Sequence, residues 1–202
     1  LMKHPEYNYR HVRAVRAGHV ISIPLQGRFT EKDIVEQRYI DSVRDLPVVE
    51  GSAEQIGREI KQRLVRETEK RVRYAGNLAL AFSGGIDSFS VALALAELGM
   101  IKNVEAYSIN TEGQGSDWPN AQKAAKYLGM KLHEIRASKL HTLEIIPEVV
   151  HLAELYKDYD IFCAAACYLL GEAMRKQDVS AVLTGDGANE CFRDYTNWGC
   201  FA

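Results

Sequence analysis

The middle of the chain alternates short apolar runs with apolar stretches of helix length, and this alternation limits the fold more than any other feature. "LALAF" (78–82), "NVEAYSIN" (103–110), "KLHEIR" (131–136) and "SAVLTG" (180–185) have the length and character of strands. Between the first two, residues 88–98 read as an apolar helix that stops at Gly99. Between the next two, Asp117 can cap a helix that carries Pro119 in its first turn and ends at Gly129. The two helices end alike, in "ELGM" and "YLGM", each with a strand a few residues later. Successive strand–helix–strand units impose a parallel sheet covered on both faces. Further apolar helices over 142–155 and 160–176 precede the fourth strand. The predicted fold class is therefore α/β, an open doubly wound parallel sheet.

Residues 1–50 read as an N-terminal appendage, and 51–202 as the main domain. In the appendage, "HVRAVRAGHVISIPLQGRF" (11–29) alternates loosely around a glycine and predicts a short hairpin. "DLPVVEG" (45–51) has the composition of a linker. "SAEQ" (52–55) has the form of a capping box, with Ser52 as N-cap. Ile56, Ile60 and Leu64 follow as one stripe of an amphipathic helix, with Lys70, Arg71 and Arg73 in its last turn and Gly76 as its stop.

Composition narrows the partners. A chain that is 47% hydrophobic and 26% charged can bury a core. Its net charge of −2 argues against a surface held to nucleic acid by a basic field. No apolar run reaches the ~20 residues of a membrane helix, so a cytoplasmic chain with neither nucleic-acid nor membrane partners is expected. Four cysteines are too few for a disulfide scaffold. Cys163 and Cys167 would share a helix face, but the spacing fits no common zinc pattern, and buried thiols of an apolar helix are expected. Core packing is likewise expected of Tyr156 and Tyr159, and a structural role of His133.

In a doubly wound sheet, ligands sit at the carboxyl ends of the strands. Two strand ends carry polar, glycine-rich sequence: "SGGIDS" (83–88) and "TGDGANE" (184–190). Gly84 and Gly85 let backbone N–H groups turn to a ligand, and the helix that follows adds its N-terminal dipole. Ser83 and Ser88 add hydroxyls, so the loop suits phosphate oxygens. It is neither a Walker loop nor a GxGxxG turn. Asp87 would repel a phosphate unless a divalent cation lay between them, and Mg²⁺ favours one or two carboxylates plus phosphate oxygens. A glycine turn with a capping acid is the plainer alternative, but it leaves the whole hexapeptide at a strand–helix junction unexplained.

"SGGIDS" resembles the pyrophosphate-binding loop of the N-type ATP pyrophosphatases, which include asparagine, β-lactam, GMP and NAD synthetases. "LTGDGANECFRDY" (183–195) is similar to the "SGEGADELFGGY" motif of the asparagine synthetase branch. "YSINTEGQGSDWPNAQKAAKYLGMKLHEI" (107–135) resembles that branch's second strand, acidic helix start and third strand. "RAVRAGHVISI" (13–23) resembles the segment that joins its glutaminase and synthetase domains. The resemblance implies an adenine nucleotide alpha hydrolase-like (Rossmann-like) fold with ATP and Mg²⁺ as cofactors. It also implies a ligase that activates a small carboxylate as an acyl-adenylate, releases pyrophosphate and forms an amide with ammonia or an amine. Carried over residue by residue, the nucleotide would contact Phe82, Ser83, Gly84, Gly85, Ile86, Asp87, Ser88, Ser108, Ile109, Asn110 and Gly185. The backbone of Phe82 and of 108–110 would read the adenine. Asp87 and Asn189 would hold the metal, and Asp186 and Glu190 would be catalytic.

The pattern also departs from the family. "GEGADE" is "GDGANE" here, so Asp186 replaces a glutamate and Asn189 a metal-binding aspartate. No cysteine lies near the N-terminus, so no glutamine hydrolysis is expected of this chain. The later helices of the family, with a lysine that steadies the charged intermediate, have no counterpart before "NWGCFA", so a domain truncated at its C-terminus, a fragment, or a site completed by a partner chain is expected. A separate glutaminase, a completing chain or a homo-oligomer are the partners this leaves open. A nucleotide-binding subunit without catalysis, or another N-type pyrophosphatase, are the alternative functions.

Overall fold

The computed structural model describes residues 15–27, 30–40, 46–111 and 117–192. The chain divides between Ser52 and Ala53 into two units, each described by itself.

In the first unit, β1 (His19–Ser22) pairs antiparallel with β2 (Val35–Arg38), His19 opposite Arg38 and Ser22 opposite Val35. The strand expected near residue 20 is present, but its partner lies beyond the 11–29 hairpin predicted from sequence. A single 3₁₀ turn over Glu31–Asp33 makes the return. It is held by the Asp33 carboxylate, which accepts from the backbone N–H and hydroxyl of Thr30 at 2.7 and 2.9 Å. These two bonds, backbone first, keep the Asp33 carboxyl below the usual range.

The second unit opens with α1 (Ala53–Val72), which starts directly after Ser52. It buries Thr68 and Val72, with Leu64 and Val65 half-buried, whereas Ile60 stays 43% exposed. The buried stripe thus lies further along the helix than Ile56, Ile60 and Leu64 suggested. Gly76 is not the stop either, since the helix ends at Val72. A Cβ on Gly76 would lie 2.9 Å from the Ser180 hydroxyl, so close packing explains the glycine.

Then come β3 (Leu78–Ala81), α2 (Ile86–Glu97), β4 (Glu105–Thr111), α3 (Asp117–Leu128), β5 (Leu132–Ala137), α4 (Lys139–Ala153), α5 (Asp158–Arg175), β6 (Ala181–Leu183) and the short α6 (Ala188–Phe192). The four strands β3–β6 form one parallel sheet in the order β5-β4-β3-β6. Period-two alternation along β3 sends its side chains to two cores. Leu78, Leu80 and Phe82 meet Val72 of α1, Leu95 of α2 and Ala125 of α3. On the opposite face Ala79 and Ala81 leave room for Tyr107 and Met174, the latter from α5. A third cluster, built on Ile145, Val149, Ala165 and Leu169, joins α4 and α5. Helices therefore cover both faces of an open parallel sheet, which is a doubly wound α/β fold.

Two helix details were not legible beforehand. Ser138 starts α4 earlier than expected, its hydroxyl accepting from the His141 N–H at 3.1 Å. The helix α5 buries Ala165, Leu169 and Met174, which keeps Cys163 and Cys167 out of the core. Both thiols are exposed, as is Cys191, contrary to the buried thiols expected. Tyr156 and Tyr159 are also exposed, at 64% and 59%, and do not pack in a core. Trp198, whose position in the sequence suits packing on the site or on a region beyond it, lies outside the described residues.

Candidate functional site

Chain order decides where a cleft can form. From β3 the chain steps through α2 to β4 and α3 to β5, then returns through α4 and α5 to β6 on the other side of β3. The strand order reverses beside β3. At such a switch point the connecting loops diverge and leave a crevice beyond the carboxyl ends of the strands. A cleft of about 360 Å³ lies there.

The first wall is the β3–α2 loop. Gly84 has φ +75°, and a Cβ on it would lie 2.4 Å from the Ala121 backbone nitrogen. Only glycine can both turn there and let α3 pack that closely. Gly85 is the N-cap of α2 in extended conformation, and no side chain caps the helix. The first-turn N–H groups of α2 therefore keep their capacity for an anion. The serines hold the loop shape: the Gly85 N–H donates to the Ser83 hydroxyl at 3.2 Å, the Ser88 hydroxyl donates to the Gly85 carbonyl at 3.3 Å, and the two hydroxyl oxygens lie 3.2 Å apart.

The second wall is the β6–α6 loop. A Cβ on Gly185 would lie 2.7 Å from the Ser88 nitrogen and 2.9 Å from the Asp87 carbonyl carbon. The two polar loops, about a hundred residues apart in sequence, meet across this glycine. The Asp186 N–H donates weakly to the Thr184 hydroxyl at 3.4 Å, and Gly187 turns the chain with φ +90°.

The cleft brings together Phe82, Ser83, Asp87, Ser88, Ser108, Ile109, Gly185, Asp186, Asn189 and Glu190. It does not include Gly84, Gly85, Ile86 or Asn110 in its lining. The glycines shape the loop behind it, Ile86 is 77% exposed, and the Asn110 amide donates to the Glu134 carboxylate at 2.6 Å. Ser108 is buried, with 2% exposure, and its hydroxyl has no hydrogen-bond partner among the described residues. A buried hydroxyl left unpaired costs on the order of 1–3 kcal/mol, so a polar ligand group is the natural complement.

Several lining residues were missed or underweighted. Tyr107 and Asp117 line the cleft, as do Ala166, Cys167 and Leu170 from α5. Thr184 and Gly187 sit inside a loop already marked in the sequence. No sequence signal announces the α5 residues, because their approach to β3 is purely tertiary. Partial burial, the Asp186 carboxylate and neighbouring Cys163 push the Cys167 thiol up.

Electrostatics give the cleft its character. Asp87, Asp117, Asp186 and Glu190 line it, and among the described residues no lysine, arginine or histidine does. An anionic ligand could bind here only with accompanying cations. The donors are carboxylate and amide oxygens, which suit a hard divalent cation such as Mg²⁺. Among the described residues no three His, Cys, Asp or Glu side chains cluster tightly enough to hold an ion alone. Such a cation would have to be shared with its anion.

The chain is similar to several known proteins. Over 133 residues the chain is 29% identical to the glutamine-hydrolysing asparagine synthetase of Rattus norvegicus, covering 63% of this chain and 23% of that protein. Asparagine synthetase B of Escherichia coli is 25% identical over 150 residues, 68% of this chain and 27% of the relative. The amidase chyE of Penicillium rubens is 25% identical over 202 residues, 93% of this chain and 29% of the relative. The chain thus spans about a quarter of the length of these relatives. Among solved structures, NMN synthetase from Francisella tularensis is similar with a TM-score of 0.48 at 20% identity, covering 68% of this chain and 58% of that one. The NH₃-dependent NAD synthetase of Campylobacter jejuni is similar with a TM-score of 0.44 at 18% identity, covering 61% and 54%. The asparagine synthase family model matches residues 59–199, a span that runs from α1 through both walls of the cleft, and the chain belongs to that family.

Proposed function

We propose that the cleft binds ATP with Mg²⁺ and that the chain serves an amide-forming ligase reaction. The observation that carries this reading is one cleft at the switch point that joins an uncapped helix N-terminus to four carboxylates without a cation. The N–H groups of α2 and the Ser83 and Ser88 hydroxyls would take phosphate oxygens. Asp87 and Asn189 would hold the metal, which supplies neutralisation of the phosphate charge. Phe82, Ile109 and the Ser108 hydroxyl would bound the adenosine end.

The proposed chemistry is the one that the resemblance implies. A substrate carboxylate oxygen attacks the α-phosphorus, the bond to pyrophosphate breaks, and an acyl-adenylate forms. Ammonia or an amine then attacks the acyl carbon, AMP leaves and a proton is lost. Asp186 and Glu190 line the cleft and would accept that proton. A separate glutaminase, a completing chain or a second copy would be the partners, and a small carboxylic acid the substrate.

A nucleotide-binding role without catalysis is the second reading. It is favoured by Asn189 in the lining, because a neutral amide is a weaker Mg²⁺ ligand than a carboxylate. Two measurements separate the readings. Equilibrium ATP binding titrated with Mg²⁺ tests the site, and pyrophosphate release with a panel of carboxylates and ammonia tests the reaction. Asp87→Ala is expected to abolish the Mg²⁺ dependence of binding while leaving the fold intact. An unchanged Mg²⁺ dependence would remove the metal assignment. Binding without pyrophosphate release would favour the second reading.

A further inference from the structure

A second cavity of about 300 Å³ opens on the α5 side of the sheet, where β5 forms the free edge. Its floor is aromatic: the His133 ring stacks on Tyr107 with centroids 4.6 Å apart and planes 10° from parallel. Tyr107 is shared, since it also lines the acidic cleft. The second cavity, unlike the first, carries cations. Arg136, His141 and Lys176 line the second one together with His133, against Glu134 and Glu172.

The two carboxylates are already engaged. Glu134 accepts from the Asn110 amide at 2.6 Å and meets the Arg136 Nε at 3.3 Å. Glu172 meets the Lys176 Nζ at 3.0 Å. The cations are less completely used. Arginine has five N–H donors and lysine three, and the carboxylates take Nε of Arg136 and one direction of Lys176. The Nη fork of Arg136 has no hydrogen-bond partner among the described residues. These ion pairs are exposed, so their rearrangement costs little. Asn110 would continue to satisfy Glu134 if Arg136 turned to a ligand.

On the floor, the His133 Nε2 lies 2.7 Å from a Glu105 carboxylate oxygen. A lone pair there would face negative charge, so Nε2 carries the proton. Nδ1 has no partner among the described residues. Glu105 is held in place by Lys131 as well as His133, which fixes the ring orientation.

We infer that this cavity is a second binding site, distinct from the nucleotide cleft, for a small anionic metabolite bearing a carboxylate or phosphate group. Arg136 and Lys176 grip the anion by charge-assisted hydrogen bonds, and the Tyr107–His133 face takes its non-polar part. A volume near the lower limit of ligand pockets limits it to a small molecule.

The test uses the full 202-residue chain without nucleotide, with inorganic phosphate and succinate as separate probes. Ring ¹⁵N signals of His133 and His141 report this cavity, while backbone amides of residues 83–88 report the nucleotide loop. Saturable shifts of the ring signals by either probe at low millimolar concentration are expected, weakened at least fivefold in Arg136→Ala/Lys176→Ala. Both replaced side chains lie on the surface, so the fold is not at stake. Preference for one probe identifies the anion as carboxylate or phosphate. Ring signals that stay still up to 20 mM of both probes, or shifts undiminished in the double variant, overturn the inference. Shifts confined to residues 83–88 would do the same while supporting the nucleotide cleft.

Discussion

Gly185 shows how a residue can shape a site through the side chain it lacks. Its missing side chain lets β6 bring its loop against Asp87 and Ser88. In Gly185→Ala the new Cβ would stand 2.7 Å from a backbone nitrogen that cannot yield without moving α2. A loss of about 1–3 kcal/mol is expected from such overpacking. ATP affinity is expected to fall more than stability does, because the loops that line the cleft separate. Urea unfolding and nucleotide titration of the same variant check both. At Asn189 the expectation runs the other way. Asn189→Asp adds a charge to the cleft wall and is expected to tighten Mg²⁺·ATP binding by roughly 1 kcal/mol. Unchanged or weaker binding in a Mg²⁺ titration would show that Asn189 is a hydrogen-bonding residue of the loop. Both glycine loops were visible in the sequence because each sets two glycines among acidic and other polar residues at a strand end. The lining by Tyr107 and Cys167 was not, since each reads as an ordinary strand or helix residue.

At the scale of elements, β3 to β6 and the helices between them follow the apolar pattern closely. The apolar pattern could not locate ends decided by local polar bonds, such as the Ser138 cap of α4. The other end of α4 is unusual. Glu154 closes it in the left-handed region at φ 51°, where an L side chain is crowded and glycine is not. Glu154→Gly is expected to raise stability by about 0.5–1 kcal/mol, the left-handed cost less the extra entropy of an unfolded glycine. Thermal unfolding measures it, and a lower midpoint would mean that the glutamate side chain holds α4 in place. The buried stripe of α1 was misjudged for a related reason. Several apolar positions on a helix are compatible with burial, and the partner surface of α2 and β3 selects Leu64, Thr68 and Val72.

The whole molecule adds electrostatic links that no single element contains. Glu105 of β4 bonds Lys131 just before β5 and His133 within it, tying two parallel strands together. The Lys131 hydrogen bond, with that from His133, holds the Glu105 carboxyl below its ordinary range against the opposing effect of burial. A depressed folded-state value means that the unfolded chain binds the proton more readily. The contribution is therefore complete above the ordinary carboxylate range, about 4.3, and is lost as pH falls through the lower folded value. Glu105→Gln is expected to be less stable than the parent at pH 6, and the gap is expected to shrink toward pH 3. Urea titrations at several pH values read this directly, and a gap independent of pH would contradict it. Among the described residues, no helix is long and apolar enough to cross a membrane.

By itself the sequence determined the alternation of strands and helices, the parallel sheet and the two polar loops, because each follows from local pattern and side-chain period. Tertiary structure alone decided three things. It set the return of the chain to β6 beside β3, which turns two distant loops into one cleft. It left the cysteines of α5 out of the core, because Ala165, Leu169 and Met174 took that helix's buried positions. It also placed Tyr107 between an acidic cavity and one that carries both cations and carboxylates. These outcomes depend on which surfaces meet, and contacts between residues a hundred positions apart leave no periodic trace in the chain.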